Sequence, residues 1–242
     1  RDPQAVYDMN LLAVRIVEHP KLRLPFIVAY DGFFTSHQKR RVHVFDPAVV
    51  RQFIGEPAPP FTALDPDRPV TIGPYMNDPD LINNKYQLKL AFDAAAEVIP
   101  EIFTEFAVLS GRRYQTVERY AMERADVALV LLNSAAETAK EAADRLRRQG
   151  RRVGVVSLNV LRPFPAAELR AALRRVKAVM IGDRADSYGA GGGNLSLEVR
   201  AALQAERARP RCLARIYGLG GKDFAVEDAI AIGVGVEFVC CV

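Results

Sequence analysis

Apolar positions along this chain change their period twice. In QAVYDMNLLAVRIVEH, residues 4–19, Val6, Met9, Leu12, Val14, Ile16 and Val17 recur at roughly helical spacing, which predicts an amphipathic helix that Pro20 ends. The next stretch, LPFIVAY (24–30), is a continuous apolar run and reads as a buried strand. DPAVVRQFIG predicts a short helix capped by Asp46, with Pro47 at its first position. The stretch that follows, EPAPPFTALDPDRPVTIGPYMNDPD, holds seven of the chain's 15 prolines. It is too apolar for a flexible tail and reads as an ordered linker crossing a surface, kept extended by proline. Helical spacing returns over 81–110, with a kink expected at Pro100 and a stop at Gly111.

Beyond residue 112 the rhythm becomes regular. Apolar runs at 126–132, 153–158, 178–183 and 212–216 read as strands. Amphipathic stretches at 135–150, 164–176 and 194–207 separate them. Continuously apolar strands that alternate with helices mean parallel βαβ units with right-handed crossovers. The fold class is therefore α/β, a small doubly wound parallel sheet, preceded by the tail of another domain. That tail is expected because a helix followed by a buried strand ends an α/β unit, and nothing earlier in the chain completes its sheet. The first residue is Arg1 rather than Met, which fits a processed or truncated piece of something longer.

Composition narrows the function classes. The 242 residues are half apolar and about a quarter charged, ordinary for a globular protein with a sizeable core. Net charge is only +4. The arginine run RLRRQGRR (145–152) lies at a predicted helix end with no interleaved aromatics, so nucleic acid is not an expected partner. No apolar run reaches the ~18 residues a membrane span needs, and no signal peptide is visible. The three cysteines, Cys212, Cys240 and Cys241, form no CxxC pair and read as reduced thiols of a cytoplasmic protein. A zinc or iron–sulfur site built by this chain alone is not expected.

Candidate chemistry collects at strand ends. GDRADSYGAGGGNLS lies between a predicted strand and a helix N-terminus, where backbone N–H groups can cradle phosphate. Yet Gly189, Gly191, Gly192 and Gly193 match neither GxGxxG nor GxxxxGK[ST], so a structural turn or subunit contact competes with a ligand loop. Asn194 or Ser196 is the expected helix cap. Asp183 and Arg184 end a strand at its carboxyl edge, either as functional groups or as a local ion pair or cap. Arg162, in LRPFP, could face an anion or simply precede a helix entry set by Pro163 and Pro165. Gly220 and Lys222, in YGLGGKDF, could bind an anion or close a turn. His37 lies near Ser36 and Asp31 in YDGFFTSHQ, but a catalytic triad needs residues from separate segments, and there is no GxSxG elbow. An interface histidine is the simpler reading.

Five stretches, YDGFFTSHQKRRVHVF, DRPVTIGPYMNDPD, LRPF, VMIGDRADSYGAGG and YGLGGKDF, resemble in order and spacing the alpha subunits of 2-oxoacid:ferredoxin oxidoreductases, nearest to pyruvate synthase. The resemblance implies the last part of a thiamine-diphosphate pyrimidine-binding domain (1–55), a Pro-rich linker (56–84), a connecting helix (85–111) and a transketolase C-terminal-like domain (112–242). It implies a cytoplasmic, multisubunit enzyme that oxidatively decarboxylates pyruvate or a related 2-oxoacid with coenzyme A, reversibly, and reduces ferredoxin. Thiamine diphosphate and Mg would belong to the assembled enzyme, and iron–sulfur clusters to the beta, gamma and delta-type partner subunits, with none bound by this chain alone. No catalytic residue is assigned. Asp31 and Gly32 would form a turn, and Thr35, Ser36 and His37 would face a neighbouring domain or the channel to the active site. A transketolase or 2-oxoacid dehydrogenase beta-type subunit, and a non-enzymatic nucleotide-binding module using the glycine loop, are the alternatives.

Overall fold

A computed structural model describes residues 2–56, 64–207 and 209–234. The chain divides into two compact units. Cys240, Cys241 and part of the Pro-rich linker lie outside the described residues.

The first unit comprises Gln4–Ala29 and Arg41–Arg113. Its helices are α1 (Pro3–Val17), α2 (Pro47–Ile54) and α3 (Asp80–Ser110). As expected, Asp46 caps α2, its carboxylate accepting from the Ala48 amide at 2.8 Å, with Pro47 at the first turn. Gly111 ends α3 at φ +70°, a conformation that costs glycine nothing. α3 matches the helical spacing read over 81–110 to within one residue and runs on through Pro100. Its second half carries the buried Val98, Ile99, Ile102, Phe103 and Phe106, while its first half leaves Ile82 and Tyr86 exposed. Phe45 and Phe53 meet Phe106 edge-on at centroid distances of 6.0 and 5.5 Å.

The expected strand at 24–30 is not a strand: the segment joins no sheet, and Ile27 is 88% exposed. An apolar run makes a strand only when another strand supplies the ladder hydrogen bonds, and among the described residues none pairs with this one.

The second unit comprises Arg1–Pro3, Tyr30–Arg40 and Tyr114–Val242. Its sheet contains β1 (Val117–Tyr120), β2 (Val127–Val130), β3 (Val153–Leu158), β4 (Ala178–Asp183) and β5 (Arg211–Ile216). The spatial order is β1-β3-β2-β4-β5. Strands β2 to β5 pair in parallel, as expected from their apolar runs; β3 and β4 are buried along their whole length, whereas β5 is only partly buried. β1 is an antiparallel edge strand that the sequence reading did not contain. Helices α4 (Asn133–Arg148) and α7 (Val226–Val234) cover one face; α5 (Ala166–Leu173) and α6 (Asn194–Leu203) cover the other. Leu129, Met180 and Leu146 belong to the first core layer, and Val130, Ile181, Leu169 and Val199 to the second.

The order has a geometric consequence. β2 leads through α4 to β3 on one side, whereas β4 leads through α6 to β5 on the other. The loops after β2 and β4 therefore diverge, opening a crevice at the carboxyl edge of the sheet, the place where doubly wound folds hold ligands.

Candidate functional site

The turn that contains Asp31 is seated in that crevice. It belongs to the same compact unit as the sheet, although Asp31 lies 86 positions before the start of β1 in sequence. Asp31 Oδ2 accepts from the Ser134 amide at 2.8 Å. Its Oδ1 faces Arg184 Nη1 at 3.5 Å. Ser134 follows β2 and Arg184 follows β4, so one carboxylate bridges both diverging loops. The Arg184 guanidinium carbon also lies 5.2 Å from the centre of the Phe34 ring. Beside the turn is a cavity of about 300 Å³, whose lining includes Phe34, Arg40, Thr138, Arg184, Tyr217 and Phe224. Burial, and secondarily the Asp31 carboxylate, push the Tyr217 phenol up to about 12.

Within the turn, the Ser36 hydroxyl lies 2.7 Å from His37 Nδ1 and accepts from the Phe33 amide at 2.9 Å. The His37 ring stacks on Phe33 at 4.7 Å. Asp31 turns away from this pair toward Ser134 and Arg184, so Asp31, Ser36 and His37 form no proton relay. Gly32, Ser36 and His37 are exposed. Thr35, expected with Ser36 and His37 to face a neighbouring domain or the channel to the active site, is 4% exposed.

Asp183 is a helix cap. Its carboxylate accepts from the Leu195 and Ser196 amides at 2.7 and 3.0 Å and from the Ser196 hydroxyl. Neither Asn194 nor Ser196 caps α6, as the sequence suggested; Asn194 Oδ1 instead accepts from the Ser187 hydroxyl at 2.7 Å. The amides that a phosphate would need at the end of the glycine loop are thus taken by an internal carboxylate. That weighs against the nucleotide-binding reading. Gly193 is required for this approach: a Cβ there would come within 2.4 Å of Asp183 Cβ and 2.3 Å of Ala185 O. Gly189, by contrast, has open space around it, a Cβ on Gly191 would come only near the Arg200 guanidinium, and Gly192 packs against Ser196 and Ala214.

The remaining candidates are dispersed along the same edge. Arg162 pairs with Glu198 on α6 and donates to Leu161 O. Gly220 has φ +63° with open space around it, and Lys222 is exposed. Cys212 is half-buried, and burial raises its thiol. Among the described residues, no three His, Cys, Asp or Glu side chains are grouped so as to hold a metal ion, and no helix is long and apolar enough to cross a membrane.

Sequence reasoning missed Ser134, Phe34 and Tyr217. For Ser134 a signal was present: α4 has Leu132 at its N-cap and no side-chain cap of its own. A helix so begun needs an acceptor from elsewhere.

Two family models match the chain in sequence. Residues 1–104 match the pyruvate flavodoxin/ferredoxin oxidoreductase, thiamine diphosphate-binding model, and residues 125–229 match the pyruvate:ferredoxin oxidoreductase core domain II model. The pyruvate synthase subunit PorA of Thermotoga maritima is 39% identical over 94% of this chain and 59% of its own length. The chain belongs to the 2-oxoacid:ferredoxin oxidoreductase family, on the side of its alpha subunits. PorA of Pyrococcus horikoshii is 35% identical over 95% of this chain and 58% of its own length. The ketoisovalerate oxidoreductase subunit VorA of Pyrococcus abyssi is 33% identical over 95% of this chain and 58% of its own length. The chain thus spans rather more than half the length of these curated 2-oxoacid:ferredoxin oxidoreductase subunits.

Proposed function

We propose that this chain works as part of a thiamine-diphosphate-dependent 2-oxoacid:ferredoxin oxidoreductase, which converts pyruvate or a related 2-oxoacid with coenzyme A to acyl-CoA and carbon dioxide and passes the electrons to ferredoxin. The observation that carries this reading is 39% identity to a pyruvate synthase subunit sustained over 94% of the chain. Relatives named for both pyruvate and ketoisovalerate leave the class of substrate at 2-oxoacid.

Thiamine diphosphate supplies the carbanion chemistry of such an enzyme. Its aminopyrimidine needs a free carboxylate, yet the buried Asp8 and Asp183 are bonded to Arg112 and to the α6 amides, and Asp31 is bonded to Ser134 and Arg184. No catalytic step is therefore assigned to this chain. Its share is scaffold and docking: the α/β sheet holds the Asp31 turn and presents the edge loops to other parts of the enzyme. Beta, gamma and delta-type subunits, Mg and iron–sulfur clusters would complete the assembly, in the cytoplasm.

Reduction of a viologen dye by pyruvate, coenzyme A, thiamine diphosphate and magnesium tests this reading. The isolated chain should give none, and the chain assembled with its companion subunits should give turnover that depends on both cofactor and coenzyme A. Turnover by the chain alone would overturn it, as would a fully assembled complex that turns over no 2-oxoacid.

A further inference from the structure

Three parallel strands of the second unit begin beside a charged residue: Arg152 immediately precedes β3, Asp126 precedes β2 and Lys177 precedes β4. Backbone bonds set these starts side by side, the Asp126 amide donating to Arg152 O and the Lys177 amide to Asp126 O, both at 2.7 Å. Arg152 Nε and Nη2 both reach Asp126 Oδ2 at 2.6 Å, and Lys177 Nζ lies 3.2 Å from Oδ1. The amino edge of the sheet thus carries a row with one carboxylate between two cations. More cations flank it. Arg124 comes from the turn before β2, Arg148 from the last turn of α4, and Arg174 and Arg175 from the link between α5 and β4. All six are exposed, the side chains of Arg148, Arg152 and Lys177 by 70, 54 and 77%. Among the described residues, Arg124, Arg174 and Arg175 have no hydrogen-bond or ion-pair partner for their side chains. Against Glu123 and Asp126, the six leave an excess equal to the chain's whole net charge of +4. Helix ends explain only part of it. Helices α4 to α7 return to this edge, each with roughly half a negative charge at its C-terminus, about −2 in all. Arg145, Arg147 and Arg170 already serve the last turns of α4 and α5.

The make-up of the edge selects its partner. Among the described residues, none of the large apolar side chains exposed at the surface belongs to it, so it offers no ring to stack on bases and no wedge for a bilayer. Asp126, in mid-row, would meet a continuous phosphate track with like charge. Discrete carboxylates can avoid it, and the Arg152–Asp126 pair already shows guanidinium meeting carboxylate here. We propose that the amino edge of the sheet is a docking surface for the acidic face of another protein, with Arg124, Arg174 and Arg175 as its unpaired carboxylate receptors. The contact is steered by charge and weakened by salt. It lies at the end of the sheet opposite the Asp31 turn and does not depend on the activity proposed above.

The test titrates the full chain against fluorescently labelled poly-L-glutamate, read by anisotropy, with a DNA duplex and phosphatidylserine vesicles as rival polyanions at the same ionic strength. Poly-L-glutamate should bind more tightly than either rival, and its affinity should fall by roughly tenfold or more between low and physiological salt. Arg174→Glu/Arg175→Glu should weaken it by about tenfold. Arg174→Gln/Arg175→Gln should weaken it less but in the same direction, and gives the reading should the reversed variant fail to fold. Arg51→Glu/Lys85→Glu changes net charge equally at two exposed positions of the first unit. It should alter affinity by less than about twofold, because screening confines the effect to nearby charges. Equal weakening by this control overturns the proposal, since binding would then follow net charge and not the edge. So does affinity that ignores both Arg174/Arg175 variants, tighter binding of the duplex or the vesicles, or no binding of poly-L-glutamate.

Discussion

Asp8 and Arg112, 104 positions apart, close a bidentate pair: Arg112 Nε and Nη2 donate to the two Asp8 carboxylate oxygens at 2.6 and 2.8 Å. Asp8 is fully buried, and the Arg112 side chain is 27% exposed. The guanidinium carbon lies 5.3 and 5.7 Å from the Phe45 and Phe106 ring centres. The pair thus ties the body of α1 to the residue just beyond the C-cap of α3, two helices that no short connection holds together. Removing one partner strands a charge against aromatic surface. Asp8→Ala should cost about 3 kcal/mol in urea unfolding, and Arg112→Lys should not preserve the interaction, because an ammonium cannot form the planar fork. A loss below ~1 kcal/mol for Asp8→Ala would show that water replaces the carboxylate at little cost.

The cap on α6 gives a paired prediction. Asp183→Ala leaves the Leu195 and Ser196 amides and the Ser196 hydroxyl without their buried acceptor, and should cost about 2–4 kcal/mol. Gly193→Ala forces the same loop apart through the 2.3 Å approach to Ala185 O, which is backbone and cannot swing away. Gly189→Ala meets nothing within 4 Å and bears only the cost of φ +83°, about 1 kcal/mol. Thermal unfolding of the two glycine variants should rank Gly193→Ala well below Gly189→Ala. Equal losses would mean that the loop relaxes away from Asp183.

β2, β3 and β4 were legible because burial on both faces writes itself as an apolar run, and β5 because Cys212, Leu213, Ala214 and Ile216 keep that pattern at a half-buried edge. β1 was not: VERY shows one strongly apolar residue in four and takes its order from pairing Val117 with Leu158 and Tyr120 with Val155 across an edge. α7 was missed because the reading assigned no element after YGLGGKDF, although the helix starts at Val226, just beyond it. The 24–30 run fails for the opposite reason, since its pattern is strand-like and no ladder partner lies beside it. Asp31 exposes a deeper limit. Its place in YDGFFTSHQ predicts a turn, but its partners are an amide 103 residues on and a guanidinium 153 residues on. No local rule encodes a cap that arrives from another segment.

The arginine run at 145–152 looked like a solvated helix end, and most of it is. Arg148 is 70% exposed and reaches only Glu141, at 3.9 Å. Arg145 pairs with Glu141 and Glu227 at the surface. Arg147 is different: it donates to Ala121 O and Val153 O at 3.0 Å each and to Glu123 O at 3.3 Å. It thereby stitches the end of α4 to the loop after β1 and to the first residue of β3. Arg148→Gln should change stability by less than ~0.5 kcal/mol. Arg147→Gln should cost about 2 kcal/mol, since three carbonyls lose a charged donor at once. Chemical unfolding of the two variants side by side checks this, and indistinguishable curves would refute the stitching role.

Tyr217 links the candidate site to alkaline stability. Its phenol holds its proton to about 12 in the folded chain, chiefly through burial and next through the Asp31 carboxylate, with Arg184 opposing. In the unfolded chain it ionises near ~10. Below that pH both states are protonated, and this group contributes no pH dependence. Between about 10 and 12 the unfolded state releases a proton that the folded state retains, so unfolding is progressively favoured as pH rises through that window. Tyr120 is also raised, through its hydrogen bond to Asp144, so a total tyrosinate titration of the eight tyrosines does not isolate Tyr217. The difference in ultraviolet absorbance between the parent chain and Tyr217→Phe does. It should show one late ionisation. Asp31→Asn should move that ionisation to lower pH while leaving it above the ordinary tyrosine range, because burial is the larger cause. A Tyr217 ionisation that begins near ~10 in the folded parent chain, or that ignores Asp31→Asn, would show that the ring and the carboxylate do not share the seat described here.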